Sequence, residues 1–480
     1  MGVSRSVALL AVALAATLPA RAAPRTAEVR PFVDDTADVT HVLDAFDADD
    51  PFDFKFSLGY ATRFKNANIR RETELKQPGL TQGRFVATNE NIASYAQTTH
   101  TLNILAEAGL WRDLALRVKL PIVLSDTREL SSLEGSARNP ERYAQGDGTP
   151  LFSLPFASPS RSGLDWLGFE LAWGITNQRR SPAMPTWLAA LEVQLPIGES
   201  LHACDAKAKI QCRDVFFFDE NNPTAQRDTG RTPGLNRGMT TLIARSAVSR
   251  RYGDVEPYGQ FSILADFPIS GTDYASQRTQ TGVILDRPPI IGTVLSGVEI
   301  TASEERGHGR RLVFDLQAKG SYISPGRDYS ELFDALGSSG ASTLARPNAG
   351  AFEDNGTAGT RPAASAGNVY FTGITDIAPH IALGGRVALR WQAGPFVSFG
   401  LGAGLQWVEG HAITGGDECN TMVKGSLGQA ANCRDASVAP PKPTGTPNPN
   451  YRPSIDAPGR RFRVDDTFIT DLWANLSLLF

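Results

Sequence analysis

Twelve stretches of this chain alternate apolar and polar residues with a period of two, and the connections between them alternate as well, about 20 to 50 residues and then 2 to 9. A period of two is the signature of a strand with one greasy and one wet face. The stretches run approximately Phe52–Tyr60, Leu102–Leu110, Leu114–Leu124, Leu167–Ile175, Trp187–Leu195, Leu242–Val248, Gly259–Phe267, Val294–Ile300, Leu312–Tyr322, Ile381–Trp391, Val397–Trp407 and Thr467–Phe480. Val369 to Ile377 either extends the tenth or belongs to the loop before it. A soluble sandwich has no reason to keep long connections on one side and short ones on the other. An even strand number, short periplasmic turns and long external loops are instead the pattern of a transmembrane barrel. The chain therefore predicts an all-β fold, a closed antiparallel transmembrane β-barrel of about 12 strands spanning 51–480. The long connections include Arg63 to about Ala96, Leu124 to about Gly163 and Ser324 to Gly367.

The last stretch shows why lipid is the expected surroundings. From Leu472 onward one parity is apolar (Leu472, Ala474, Leu476, Leu478, Phe480), and the other begins Asp471, Trp473, Asn475, Ser477. An exposed apolar strand is a liability in water. It is stable if its greasy face meets lipid and its edge pairs with the first strand. Trp111, Trp173, Trp187, Trp391 and Trp407 stand near strand ends, as an interfacial girdle would. Beyond the N-terminus no run approaches the roughly 20 apolar residues that a spanning helix needs.

The N-terminus reads as a secretory signal over 1–22. Arg5 is the positive residue, Val7 to Leu18 the apolar region, and Ala20-Arg21-Ala22 a small-x-small site, so cleavage is expected near Ala22. Residues 23–50, polar and acidic, are expected to form a periplasmic leader or partial plug. Export to an oxidising compartment makes two loop-closing disulfides the natural use of the four cysteines, Cys204 with Cys212 and Cys419 with Cys433.

If the apolar parity faces lipid, the other faces the lumen. That assigns Lys55 to the lumen from the first strand, Glu107 from the second, Arg117 and Lys119 from the third, and Glu170 and Glu192 from the fourth and fifth. Arg245, Asp266, Glu299, Asp315, Lys319, Arg386 and Arg390 follow on the later strands. Glu107 and Arg117, symmetric about the turn at Arg112, are expected to face each other as an ion pair. Twelve strands leave a narrow pore or one closed by a loop or the leader. Acid and base are nearly balanced, so no strong ion selectivity is expected.

Several function classes drop out. A net charge of −4 gives no support for nucleic-acid binding. The six His residues are scattered, no Gly-x-Ser-x-Gly elbow or His-Glu-x-x-His helix occurs, and no catalytic residue, metal or cofactor is expected. The chain is expected to act as a passive channel for small compounds, hydrophobic ones among them. The alternative is a structural or surface-binding barrel acting through its disulfide-tied loops, and a weaker one an outer-membrane hydrolase.

The terminal Phe480 with apolar residues at every second position before it resembles the C-terminal signature of bacterial outer-membrane barrels. That implies recognition by the barrel assembly machinery and residence in the outer membrane of a Gram-negative cell. Ala108–Pro121, Leu191–Gly198 and Arg251–Tyr258 resemble hairpins of the outer-membrane transporter family found with aromatic (phenol) meta-cleavage pathways. The match covers about a third of the chain in short pieces and implies uptake of small solutes.

Overall fold

The computed structural model describes residues 37–45, 53–76, 85–133, 143–222, 225–275, 282–350, 352–354, 360–362, 367–422, 433–435, 442–443 and 445–480. The signal segment with its cleavage site, most of the leader and Phe52 lie outside the described residues. Twelve long strands carry the fold: β1 (Phe54–Lys76), β2 (Phe85–Trp111), β3 (Leu114–Ser132), β4 (Trp166–Thr176), β5 (Thr186–Pro196) and β6 (Met239–Ser249). They continue as β7 (Val255–Pro268), β8 (Ile291–Glu305), β9 (Arg310–Ile323), β10 (His380–Gly394), β11 (Val397–Val408) and β12 (Phe462–Leu479). Each pairs antiparallel with the one before it, and β12 returns to β1 with Phe56 opposite Leu478 and Tyr60 opposite Ala474. The barrel is closed, which leaves no edge unpaired.

The outward parity is apolar and bare. Leu171, Leu191, Phe261, Val294, Val387 and Leu401 are all exposed on the outer face, Val294 at 60%. So broad an apolar surface is stable only against lipid. β4, β5 and β6 have 11 residues each, the length that crosses a bilayer when tilted. Trp111, Trp173, Trp187 and Trp391 ring the short-turn end of this surface, and Trp407 stands at the other end. Among the described residues no helix is long and apolar enough to cross a membrane.

Two connections differ from expectation, and one open alternative is decided. The segment read as a loop from Arg63 to Ala96 is mostly strand: β1 and β2 pair from Phe54 opposite Ala108 up to Lys76 opposite Phe85. β3 likewise runs past Leu124 to Ser132. Above the membrane the polarity reverses. Outward Asn66, Asn68 and Arg70 meet water, while inward Ala67 and Ile69 are buried. The lipid-facing alternation therefore stops, although the hydrogen-bond ladder continues. Of the two alternatives for Val369–Ile377, the loop holds: Asn348–Ala349 pairs with Asn368–Val369 and Gly326–Asp328 with Thr375–Ile377.

The long connections fold over the external mouth as a cap with its own core. Ile69, Ile92, Leu130, Phe152, Leu336 and Phe462 belong to it, each at most 7% exposed. Arg161, fully buried, reaches both carboxylate oxygens of Asp334 at 2.6 and 3.0 Å. The same carboxylate accepts the Ser158 hydroxyl at 2.8 Å and the Cys204 N–H at 3.0 Å. One buried acid thus ties three loop segments together.

Candidate functional site: the lumen

The periplasmic mouth of the lumen holds the described part of the leader, Ala37 to Ala45. Its attachment is mostly through its backbone. The N–H of Ala37 donates to Glu256 Oε1 and that of Asp38 to Glu299 Oε1, both at 2.8 Å. Thr40 shares a 2.7 Å hydroxyl contact with Ser249. Arg117 donates to the carbonyl of His41 at 2.5 Å, and Asp38 meets Arg390 at 3.2 Å. Ala45 and Arg112 exchange backbone hydrogen bonds of 3.0 and 2.9 Å. Polar partners on β3, β6, β7, β8 and β10 and in the β2–β3 turn thus converge on one short segment. Backbone groups removed from water need such partners.

Above the leader, on one wall, six of the sequence-predicted residues form a continuous ladder. Glu107 lies opposite Arg117 in the β2–β3 register, with Arg117 Nε donating to Glu107 Oε1 at 2.9 Å. Arg117 also reaches Glu170 at 3.0 Å. Lys119 bridges Glu170 and Glu192, and Arg245 contacts the same two acids. Glu107, Glu170 and Glu192 are each at most 2% exposed. Charges removed from water are tolerated only when paired and hydrogen-bonded. Three acids and three bases do this with no net charge.

On the opposite wall Glu299 pairs with Arg390 at 2.5 Å. Asp315 accepts the Tyr258 hydroxyl at 2.5 Å and the Gln317 amide at 2.8 Å. Asp266 sits at the outer rim, held by Arg237 at 3.0 Å and by the Thr241 hydroxyl. Lys55, Lys319 and Arg386 line the lumen without being brought into an ion pair among the described residues. Arg386 lies over the Trp473 ring, 4.3 Å from its centroid. The indole in turn lies flat over β11, where a Cβ at Gly402 would come within 2.6 Å of it.

Two cavities lie along the lumen among the described residues. The lower, about 500 Å³, lies beside the leader and is lined by Lys55, Asp315, Arg386 and Trp473 among others. The upper, about 580 Å³, begins at the ladder with Lys119, Glu192 and Arg245 and continues outward past Lys319. Their order follows from β9, where Asp315 lines the lower and Lys319, Ser321 and Ile323 the upper. Part of the upper wall is apolar: Trp166, Ile243, Leu264, Ile291 and Ile323 face inward. Expectation from alternation missed these, because both parities are apolar there, as in Leu242-Ile243-Ala244 and Ile263-Leu264-Ala265. A run of doubled apolar residues at the same height on neighbouring strands was the available signal.

In the cap, both cysteine pairs are bonded, Cys204 with Cys212 and Cys419 with Cys433. Burial pushes the Asp456 carboxyl up to about 6, helped by the nearby charge of Asp376, although the N–H groups of Arg452, Gly415 and Gly416 oppose the shift. The histidines do not converge. His41 is in the leader, and His100 contacts Tyr60 on the outer face at 2.7 Å. His202 lies between Asp273 and Arg231 in the loops, His308 is in a periplasmic turn, and His380 stacks on His411 at 3.5 Å. No group of three or more His, Cys, Asp or Glu suited to a metal ion occurs among the described residues.

No family model matches the chain, and no curated protein does. Solved structures with a similar course include the COG4313 outer membrane channel from Pseudomonas putida F1, at 9% identity and a TM-score of 0.34, covering 93% of this chain and 99% of that one. A FadL homologue of Pseudomonas aeruginosa follows at 9% identity and 0.30, covering 89% and 90%. The TodX monoaromatic hydrocarbon channel deltaS2 mutant has 8% identity and a TM-score of 0.32, covering 93% of each chain. Scores this low carry no argument, and the closed twelve-strand barrel stands on its own strand pairing.

Proposed function

We propose that this chain is a passive outer-membrane channel for small solutes whose periplasmic mouth is stoppered by the segment around Ala37–Ala45. The observation that carries it is the pair of cavities in series inside a barrel with a bare apolar exterior. A barrel whose only task was to hold loops at the surface would have no use for cavities lined by charged and polar side chains. The Ala37–Ala45 contacts are hydrogen bonds and two ion pairs, Asp38 with Arg390 and Asp44 with Arg179, each modest on its own, so the stopper is displaceable. The likeness of three hairpins to the transporter family of aromatic meta-cleavage pathways agrees with this reading. So do the secretory signal and the C-terminal strand ending at Phe480, which fit assembly into the outer membrane of a Gram-negative cell. Planar-bilayer recording tests the proposal: the purified chain should give discrete conductance steps, and a bilayer that stays silent with correctly folded barrel inserted would retire it.

A further inference from the structure

Resting on that channel reading, we infer that the upper cavity is a binding site for a monovalent organic anion with an apolar body, its charge met by Lys319. The charges of the cavity wall decide the sign. Lys119 and Arg245 are spent on Glu170 and Glu192, so that corner is neutral. Glu192 is the one acid in the described lining. Asp471, the carboxylate that acts on Lys319 electrostatically, is held by Arg63 at 2.7 Å. Lys319 therefore leaves one positive charge over in the lining of the upper cavity. Its side chain stays exposed to the lumen, and a cation between low-dielectric walls concentrates anions more strongly than one on an open surface.

The rest of the wall describes the body of the ligand. Ile243, Leu264, Ile291, Ile323 and Trp166 come from five different strands or strand ends and give the cavity an apolar side, which a hydrated inorganic ion would not use. Gln194, Gln260 and Gln406 add neutral amides that can orient a polar head without competing for charge. At about 580 Å³ the cavity is within the range of small-molecule sites. A purely apolar solute would leave Lys319 unpaired, and a simple anion would leave the apolar side wetted. An amphipathic monoanion such as an arylalkanoate satisfies both.

The test uses the full chain with three probes: phenylacetate, its neutral isostere phenylacetamide, and acetate. Binding is measured by titration calorimetry in detergent micelles and flux in proteoliposomes. Phenylacetate should bind about tenfold more tightly than either of the others, the worth of one charge-assisted contact or of one buried apolar group. Lys319→Gln should lower phenylacetate to the level of the amide and leave the amide unchanged, while Lys319→Arg keeps the preference. Ile291→Asn should weaken phenylacetate and phenylacetamide together and spare acetate. Equal binding of phenylacetate and phenylacetamide, or an unaltered preference in Lys319→Gln, overturns the inference. The two readings fail separately. Selective binding without flux leaves the site and removes the channel, whereas equal flux of all three probes without selective binding leaves the channel and removes the site.

Discussion

Gly109 offers a way to loosen the stopper without altering a residue of it. It lies on the inner face of β2, and a Cβ built there would fall 2.0 Å from the carbonyl oxygen of Asp44 and 3.3 Å from Ala45 Cβ. No real Cβ tolerates the first distance, so something must move. Gly109 cannot: it pairs with Ala115 in the β2–β3 ladder and its N–H donates to Asp53 at 3.0 Å. In Gly109→Ala the leader must withdraw, which breaks the two backbone hydrogen bonds between Ala45 and Arg112. Each is worth about 1 kcal/mol net, together about 2 kcal/mol, so the detached population should rise by roughly 30-fold. A cysteine placed at Ala45, which is 1% exposed, reports this directly. The native cysteines are all in disulfides, so the new thiol is the only one to react. Maleimide labelling of Ala45→Cys should accelerate by roughly 30-fold in the Gly109→Ala background. Single-channel conductance should increase in parallel. Labelling and conductance both within about twofold of the parent would refute this account of how the leader is held.

Other consequences follow from the same geometry. Glu170→Ala leaves Arg117, Lys119 and Arg245 short of a shared acid, at a cost of about 3–5 kcal/mol read from the urea midpoint of barrel unfolding; a shift under 1 kcal/mol would mean that water replaces the carboxylate. Asp334→Ala strands the fully buried Arg161 and should cost the cap about 3–5 kcal/mol, seen as rapid proteolysis of the external loops while the barrel keeps its heat-modifiable migration on gels. Asp456 sets a pH dependence of opposite sign to that of a paired acid. Its folded value of about 6 lies above the unfolded 3.8, so the native cap binds the extra proton and loses stability as pH rises through that window. Hydrogen exchange of cap amides, compared between the wild type and Asp456→Asn at pH 4 and 7, should reveal a difference approaching about 3 kcal/mol, and parallel pH profiles would contradict it.

The barrel was legible because lipid imposes one rule on every strand: apolar outward, whatever the lumen contains. That rule located all twelve strands and the Phe56–Leu478 side of the closure, and the turn at Arg112 located the Glu107–Arg117 register. It fell silent above the membrane, where Ala67, Ile69, Ile92 and Tyr95 turn inward to the cap core and the outer face meets water, so the upper halves of β1 and β2 read as a polar loop. Alternation also names the inward residues without saying which will pair. Lys119 and Lys319 look alike in the sequence. Only the approach of Glu170 and Glu192 to the first distinguishes them, and that depends on strand stagger. The polar, acidic leader could be read as a partial plug, but not where Ala37–Ala45 would seat, because it is held mainly by backbone groups that every residue possesses.

Liposome swelling with a graded series of small solutes tests the central claim most directly. The account predicts that vesicles carrying the full chain swell in solutes small enough for the two lumenal cavities, and swell faster when Gly109→Ala displaces the leader. Vesicles that admit no solute of any size, with or without residues 37–45, would show a sealed barrel and contradict it.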